Sequence, residues 1–355
     1  MISPLRKYKY TFTFATVIAL AILCSCLSHG GTVAKSPNLS TNIDNLPRFG
    51  LPIDCKLGQD CYIMHYVDRD PTPDAIDFGC GRQTYDGHNG TDFGIADERA
   101  MAKGVAVKAV AAGKVLRIRD GIADRRVKDQ TTKNQVKGIE CGNGIVIAHG
   151  NGWETQYCHL RKGSIIVKPN MQVEKGTVLG MVGSSGLASF PHVHLSVRYQ
   201  GKVVDPFVGP NTTEGCQVER HPLWEEPLDY VPTGLVRAGF ATQPPKLDDL
   251  WEGRFSETVL TSDSPMLTFW VQPYGVLKDD VQVMRMFAPD GTVVAENESR
   301  IQSSNRVWMS FIGKRNTQQR PLVPGVWRGE YQLKRGGNLL LDVKRECKLL
   351  MPESQ

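Results

Sequence analysis

The stretch Pro191-His192-Val193-His194-Leu195-Ser196-Val197-Arg198 decides how this chain reads. Side chains on a strand alternate between its two faces. His192, His194, Ser196 and Arg198 therefore share one face, and Val193, Leu195 and Val197 share the other. One face belongs to a core and the other is free for chemistry. Around this stretch, residues 76–216 are short β-rich runs broken by glycine, at 105–110, 114–119, 144–149, 154–159, 177–183 and 192–199. Asn151-Gly152 and Gln200-Gly201 fall between such runs as hairpin turns, and only 96–103 reads as helical. An all-β unit is predicted.

Four of the eight histidines stand in polar clusters of this unit: His88 with Asp92 in Gly-His-Asn-Gly-Thr-Asp, His159 in Tyr-Cys-His-Leu, and His192 and His194. Gly87 and Gly90 disfavour a helix, so His88 and Asp92 are expected to meet across a turn that enters a strand. A lone His-x-x-x-Asp is usually a surface pair; the set is stronger than its parts. A neutral imidazole and a carboxylate suit zinc. A further imidazole would complete three ligands and leave a fourth position open to water, the mark of a catalytic site. Alternation along 154–160 puts Tyr157 beside His159 and turns Cys158 away, which makes Cys158 a structural or disulfide residue rather than a nucleophile.

The order His-x-x-x-Asp, His-Gly-Asn-Gly-x-x-Thr-x-Tyr-x-His-Leu, Gly-x-Val-Gly-x-Ser-Gly, Pro-His-Val-His and Val-Asp-Pro, from Gly79 to Phe207, resembles the lysostaphin-type zinc metalloendopeptidases that cut peptidoglycan peptides. The resemblance implies a duplicated-hybrid-motif β-sandwich or barrel, with one Zn²⁺ held by His88, Asp92 and His194 and a catalytic pair formed by His159 and His192. It further implies peptidoglycan peptide stems as substrate. The excursion at 117–138, with seven basic and three acidic residues, departs from the compact family pattern. A loop of that length is often functional, and it is a candidate groove wall or a solvated surface loop. Its charge leans towards a substrate rich in carboxylates.

The remaining chain sets the context. Residues 1–26 read as a signal peptide, with a cationic start and an apolar run that is short for a membrane span. Leu23-Cys24-Ser25-Cys26 loosely resembles a lipoprotein signal, with Cys26 as the acylated residue; simple cleavage and release is the alternative. An exported protein in the periplasm or cell envelope is expected. Residues 27–75 read as tether and extended wrap, 217–250 as a linker, and 251–355 as a small immunoglobulin-like β-sandwich. In that last part, Trp327, Tyr331 and Leu333 alternate with polar residues, and Gly336-Gly337 turns the chain into Leu339, Leu341 and Val343. Its tryptophans, Trp251, Trp270, Trp308 and Trp327, are expected in the core.

Of the seven cysteines beyond the leader, Cys55 with Cys61 is the cheapest local bridge and Cys347 the expected orphan. The net charge of +5 includes Arg6, Lys7 and Lys9 of the leader. What remains gives no footprint for nucleic acid. Two other classes compete: a catalytically silent, wall-binding regulator of other hydrolases, and a lipoyl or biotinyl carrier suggested by 167–183. The carrier lacks a lysine displayed at a tight turn. His-Glu-x-x-His is absent, and Gly183-Ser-Ser-Gly-Leu187 fails the nucleophile-elbow pattern.

Overall fold

In the computed structural model, which describes residues 46–352 apart from 212, the His192–Tyr199 run lies inside an eight-stranded sheet. The proposed leader, acylation at Cys26 and the tether up to residue 45 lie outside the described residues. The first portion of the chain contains β1 (Cys61–His65), β2 (Thr91–Ile95), α1 (Glu98–Lys103), β3 (Ala106–Lys108), β4 (Gly113–Arg119), α2 (Gln130–Gln135), β5 (Asn143–Gly150), β6 (Trp153–Leu160), β7 (Gln172–Val173), β8 (Val178–Met181), β9 (His192–Tyr199) and β10 (Lys202–Val204). The sheet order is β1-β2-β9-β6-β5-β4-β7, with β10 also paired to β9, and β3 and β8 form a separate two-stranded sheet.

The core lies between these two sheets. Val193, Leu195 and Val197 of β9 are fully buried there, beside Tyr157, Ile145 and Ile147 of the large sheet and Val107 and Leu179 of the small one. The apolar half of the alternating pattern thus fixes which side of β9 faces inward. Both predicted hairpin turns form. Asn151 and Gly152 have φ of 50° and 84°, and Gln200 and Gly201 have 50° and 78°. Positive φ at both central residues gives a turn whose twist matches that of the paired strands.

Three disulfides tie the portion together. Cys55–Cys61 closes a local loop, Cys80–Cys216 joins positions far apart in sequence, and Cys141–Cys158 links the end of the basic excursion to β6. Cys347 is a buried free thiol.

Two sequence readings change. The extended wrap supplies β1, all five residues of which are buried, paired antiparallel to β2. Residues 117–119 of the excursion belong to β4, and its far part forms α2, capped by Asp129 with Thr132. The excursion is not simply solvated: Arg126 is buried and pairs with Glu98 of α1.

The second portion contains β11 (Gly234–Ala241), α3 (Leu247–Trp251), β12 (Val259–Thr261), β13 (Met266–Val276), β14 (Val281–Phe287), β15 (Val293–Arg300), β16 (Asn305–Val307), β17 (Ser310–Arg315), β18 (Gly325–Arg335) and β19 (Asn338–Leu350). One sheet centres on β13, paired with β11, β16 and β17; the other runs β12-β19-β18-β14-β15. They share a core of Phe240, Phe269, Val271, Trp327, Tyr331 and Leu333. This is the strand grouping of an immunoglobulin-like sandwich. The stretch read as a linker therefore contributes a strand, β11, along the length of β13. At the β18–β19 hairpin the register shifts beside Leu333, and Leu339, expected inside, is 51% exposed. Trp251, Trp270 and Trp327 are buried. Among the described residues no helix is long and apolar enough to cross a membrane.

Asp205 of Val-Asp-Pro follows β10 and is buried. Its Oδ1 accepts from the Phe207 amide at 2.9 Å, while Oδ2 has no partner among the described residues. Burial pushes this carboxyl up to about 7, against the pull of the Phe207 amide. An unfolded chain releases the proton near pH 3.9. Between these values the folded state binds a proton that the unfolded state does not, so the contribution of this group to stability is full below pH 4 and falls as pH rises towards 7. Asp205→Asn keeps the acceptor for Phe207 and should flatten that fall. Melting curves from pH 4.5 to 7.5 should show wild type losing roughly 5 °C more than the variant across the range.

Candidate active site

Asp92 is the second residue of β2 and pairs in register with His194 of β9. Two adjacent central strands thereby place a carboxylate and an imidazole side by side. The Gly87–Gly90 turn brings His88 back over the same strand end. His194 Nδ1 is 2.8 Å from Asp92 Oδ1, His88 Nε2 is 3.2 Å from the same oxygen, and the two ring nitrogens are 3.2 Å apart. These ligand atoms all lie within 4.8 Å of one another, and all three residues are buried.

The outward ring nitrogens are committed elsewhere. His88 Nδ1 donates to the Tyr66 carbonyl at 2.6 Å. His194 Nε2 lies 2.9 Å from Ser196 Oγ and 3.1 Å from Asn89 Oδ1. With those hydrogens placed outward, the inward nitrogens His88 Nε2 and His194 Nδ1 present lone pairs to each other and to a carboxylate. Three electron-pair donors facing one another out of water repel unless a cation sits among them. The donor set, two imidazoles and one carboxylate, fits a divalent metal of the zinc type. Burial pulls His194 down, towards the neutral form a ligand needs; burial also opposes charge on His88, but Asp92 overrides it and raises that ring. Burial alone would raise Asp92, yet His88, His192, His194 and His65 together hold it well below the ordinary carboxylate range.

His159 and His192 flank this centre, their rings 4.6 Å apart. Each donates Nδ1–H to a backbone carbonyl, His159 to Ser185 and His192 to Phe190, both at 2.8 Å. Nε2 of each is left free, and that of His192 is 3.6 Å from Asp92 Oδ1. Burial lowers the proton affinity of both, most strongly for His159, where His192 and His194 add like-charge repulsion. Phe190 stacks on the His192 ring at 4.3 Å, and Trp251 of α3 stacks on Phe190 at 5.5 Å.

The face expected for His159 is corrected here. Tyr157 is buried in the core, where its hydroxyl accepts from the Val110 amide, whereas Cys158 and Gln156 line the groove. Alternation fails at His159 because its φ is 62°, a left-handed value that swings its side chain to the groove side. The Cys158 sulfur nevertheless lies in a disulfide and is no nucleophile.

Sequence reasoning missed His65. At the end of β1 its Nδ1 donates to Asp92 Oδ2 at 2.8 Å, so the carboxylate is held from both oxygens. A second cluster with ligand-like spacing, Cys55, Asp60 and Cys61, has both its sulfurs in a disulfide.

Two clefts meet at this centre. One, of about 380 Å³, is lined by His88, His159, His194, Glu140, Gln156 and Arg198. The other, of about 450 Å³, is lined by His65, Asp92 and His192, with α3 and β16 on its far wall. Tyr85 and Leu187 line both. A chain-like substrate can therefore cross the centre from one side to the other.

Residues 86–206 match the model of peptidase family M23. The chain is 33% identical over 118 residues to the peptidoglycan DD-endopeptidase ShyA of Vibrio cholerae, covering 33% of this chain and 22% of that protein. It is 42% identical over 65 residues to the DD-carboxypeptidase/endopeptidase Mpg of Neisseria meningitidis, covering 18% and 14%. Among solved structures, a putative peptidase M23 from Pseudomonas aeruginosa is 30% identical, with a TM-score of 0.25 over 45% of this chain and 52% of that one. The lysostaphin catalytic domain from Staphylococcus simulans is 20% identical, with a TM-score of 0.26 over 46% and 91%. The chain spans less than a quarter of the length of the curated relatives it matches.

Gly90 gives a test of the packing. A Cβ there would lie 2.5 Å from His194 Nε2 and 2.6 Å from the Leu195 carbonyl oxygen. Gly90→Ala should displace the His194 ring and weaken retention of a bound divalent metal about tenfold or more, read by chelator competition, while far-UV circular dichroism stays that of a β protein.

Proposed function

We propose that the chain is a zinc-dependent endopeptidase that hydrolyses peptide cross-links of bacterial peptidoglycan. His88, Asp92 and His194 are the metal ligands in this reading, and His159 and His192 the catalytic pair. The observation that carries it is the buried convergence of two imidazole lone pairs and one carboxylate, with two further imidazoles whose Nε2 atoms are free beside it. Zinc, when bound, supplies Lewis acidity towards a scissile carbonyl and lowers the pKa of water towards about 7.

The chain's own residues do the rest. His159 and His192 are fixed through Nδ1, so Nε2 of each is aimed rather than free to rotate. Between them they can accept the proton of the attacking water at a free Nε2, and the imidazolium so formed can face the developing oxyanion and return that same proton to the leaving amine. Burial keeps both neutral near pH 7, the state in which Nε2 accepts. The two clefts receive the chain on either side of the cut. His65 orients the Asp92 carboxylate from behind.

The cellular reading follows the same course. Export by the leader, lipid attachment at Cys26 or release after cleavage, and an envelope or periplasmic location are proposed, supported by relatives named as peptidoglycan endopeptidases and by three disulfides. Domain boundaries are proposed at 76–216 for the peptidase, which recruits β1, and at 251–355 for the sandwich, which recruits β11. The silent-regulator alternative finds no support in the site, where all five side chains are retained.

Three outcomes are expected. His194→Ala should lose both zinc and activity, whereas His192→Ala should keep most of the zinc, measured by elemental analysis, and lose nearly all activity; equal metal loss would mean the ligand set is wrong. His65→Ala should weaken zinc binding about tenfold to a hundredfold, with partial recovery in His65→Gln, which restores a donor. Incubation with purified sacculi should release fragments whose masses show severed peptides and intact glycan, and severed glycan would overturn the reading.

A further inference from the structure

The 450 Å³ cleft on the β1 side of the metal centre is not built by the peptidase domain alone. Its near wall is His65, Asp92 and His192; its far wall is Trp251 of α3 and Arg306 of β16; and its end is closed by the basic excursion. The excursion and α3 are stitched together. Buried Arg126 contacts Glu98 at 2.6 Å and Asp248 at 3.0 Å, and Lys128 contacts Glu252 at 3.2 Å. Arg306 donates to the Thr84 carbonyl at 3.0 Å and lies 5.9 Å from the centre of the Tyr85 ring. These contacts make the far wall a fixed part of the groove.

The charges on this wall are not all used. Arg126 and Lys128 are neutralised by the carboxylates they bind. Arg306 and Lys133 also line the cleft, and neither has an ion-pair partner among the described residues. Arg306 spends one guanidinium nitrogen on a neutral carbonyl and keeps the remaining donors, in the planar fork that matches a carboxylate. Arg306 and Lys133 are both exposed along this cleft, where unpaired cations raise the local potential towards an anion.

We infer that this half-groove is a substrate subsite that recognises a free carboxylate close to the scissile bond, through Arg306 with Lys133, so that the sandwich domain sets specificity. The inference rests on the endopeptidase reading above and adds the class of peptide it accepts, acidic rather than amidated.

The test uses the zinc-loaded full chain and two synthetic cross-linked stem peptides, identical except that one carries a free carboxylate and the other a carboxamide next to the cleaved bond. Wild type should prefer the carboxylate about tenfold in kcat/KM, chiefly through KM, and the preference should shrink as salt is raised. Arg306→Gln with Lys133→Gln should bring the ratio towards one, and Arg306→Lys should retain part of it because a cation remains. A ratio unchanged in the double variant, or no preference in wild type, overturns the subsite. Binding of both peptides to the His159→Ala chain is measured in parallel by calorimetry. Carboxylate-selective binding with no cleavage of either peptide by wild type would sink the endopeptidase reading and leave the subsite standing.

Discussion

The site depends on one buried carboxylate. Asp92 is 2% exposed and meets histidines at both oxygens, His88 and His194 at Oδ1 and His65 at Oδ2. A carboxylate so far from water is costly unless it is compensated on every side. The surrounding strands supply that compensation as imidazoles instead of fixed cations, so the charge is satisfied by groups that can also bind metal and move protons. Placing Asp92 within β2, in register against His194 within β9, ties the pair to the sheet's hydrogen-bond ladder.

Rigidity continues outward through unlike materials. His192 is held by a backbone carbonyl and by the stack of Phe190, which in turn rests on Trp251 of the second portion. His159 is held by the Ser185 carbonyl, and its own amide donates to Cys141, which is disulfide-bonded to Cys158 next to it. Each imidazole is therefore oriented through its Nδ1 by main chain and braced from behind by aromatic packing or a covalent link. The sandwich supplies more than bulk, because α3 and β16 furnish part of the groove that runs past His65, Asp92 and His192.

Much of this was legible in the residues. Alternation in β9 separated core from chemistry, because one face had to be apolar to be buried. Asn151-Gly152 and Gln200-Gly201 announced the hairpins, and the resemblance carried by the His-x-x-x-Asp and His-x-His motifs implied which side chains would stand together. His65 was not legible: the run Cys-Tyr-Ile-Met-His is buried on both faces, so no alternation marks its last residue as functional. The only signal was a histidine closing an otherwise apolar run. His159 misled in the opposite direction, since period-two alternation assumes an extended backbone and its φ is 62°.

The sequence by itself determined the all-β character and the inward face of β9, because these follow from local periodicity, while its motifs, through the family they resemble, implied which side chains converge. Tertiary structure decided which cysteines pair beyond Cys55 and Cys61, that β1 brings His65 behind Asp92, and that Trp251 and Arg306 reach the groove. Those contacts join segments separated by 17 to more than 200 positions, and nothing local in a chain encodes which distant segments will share a wall.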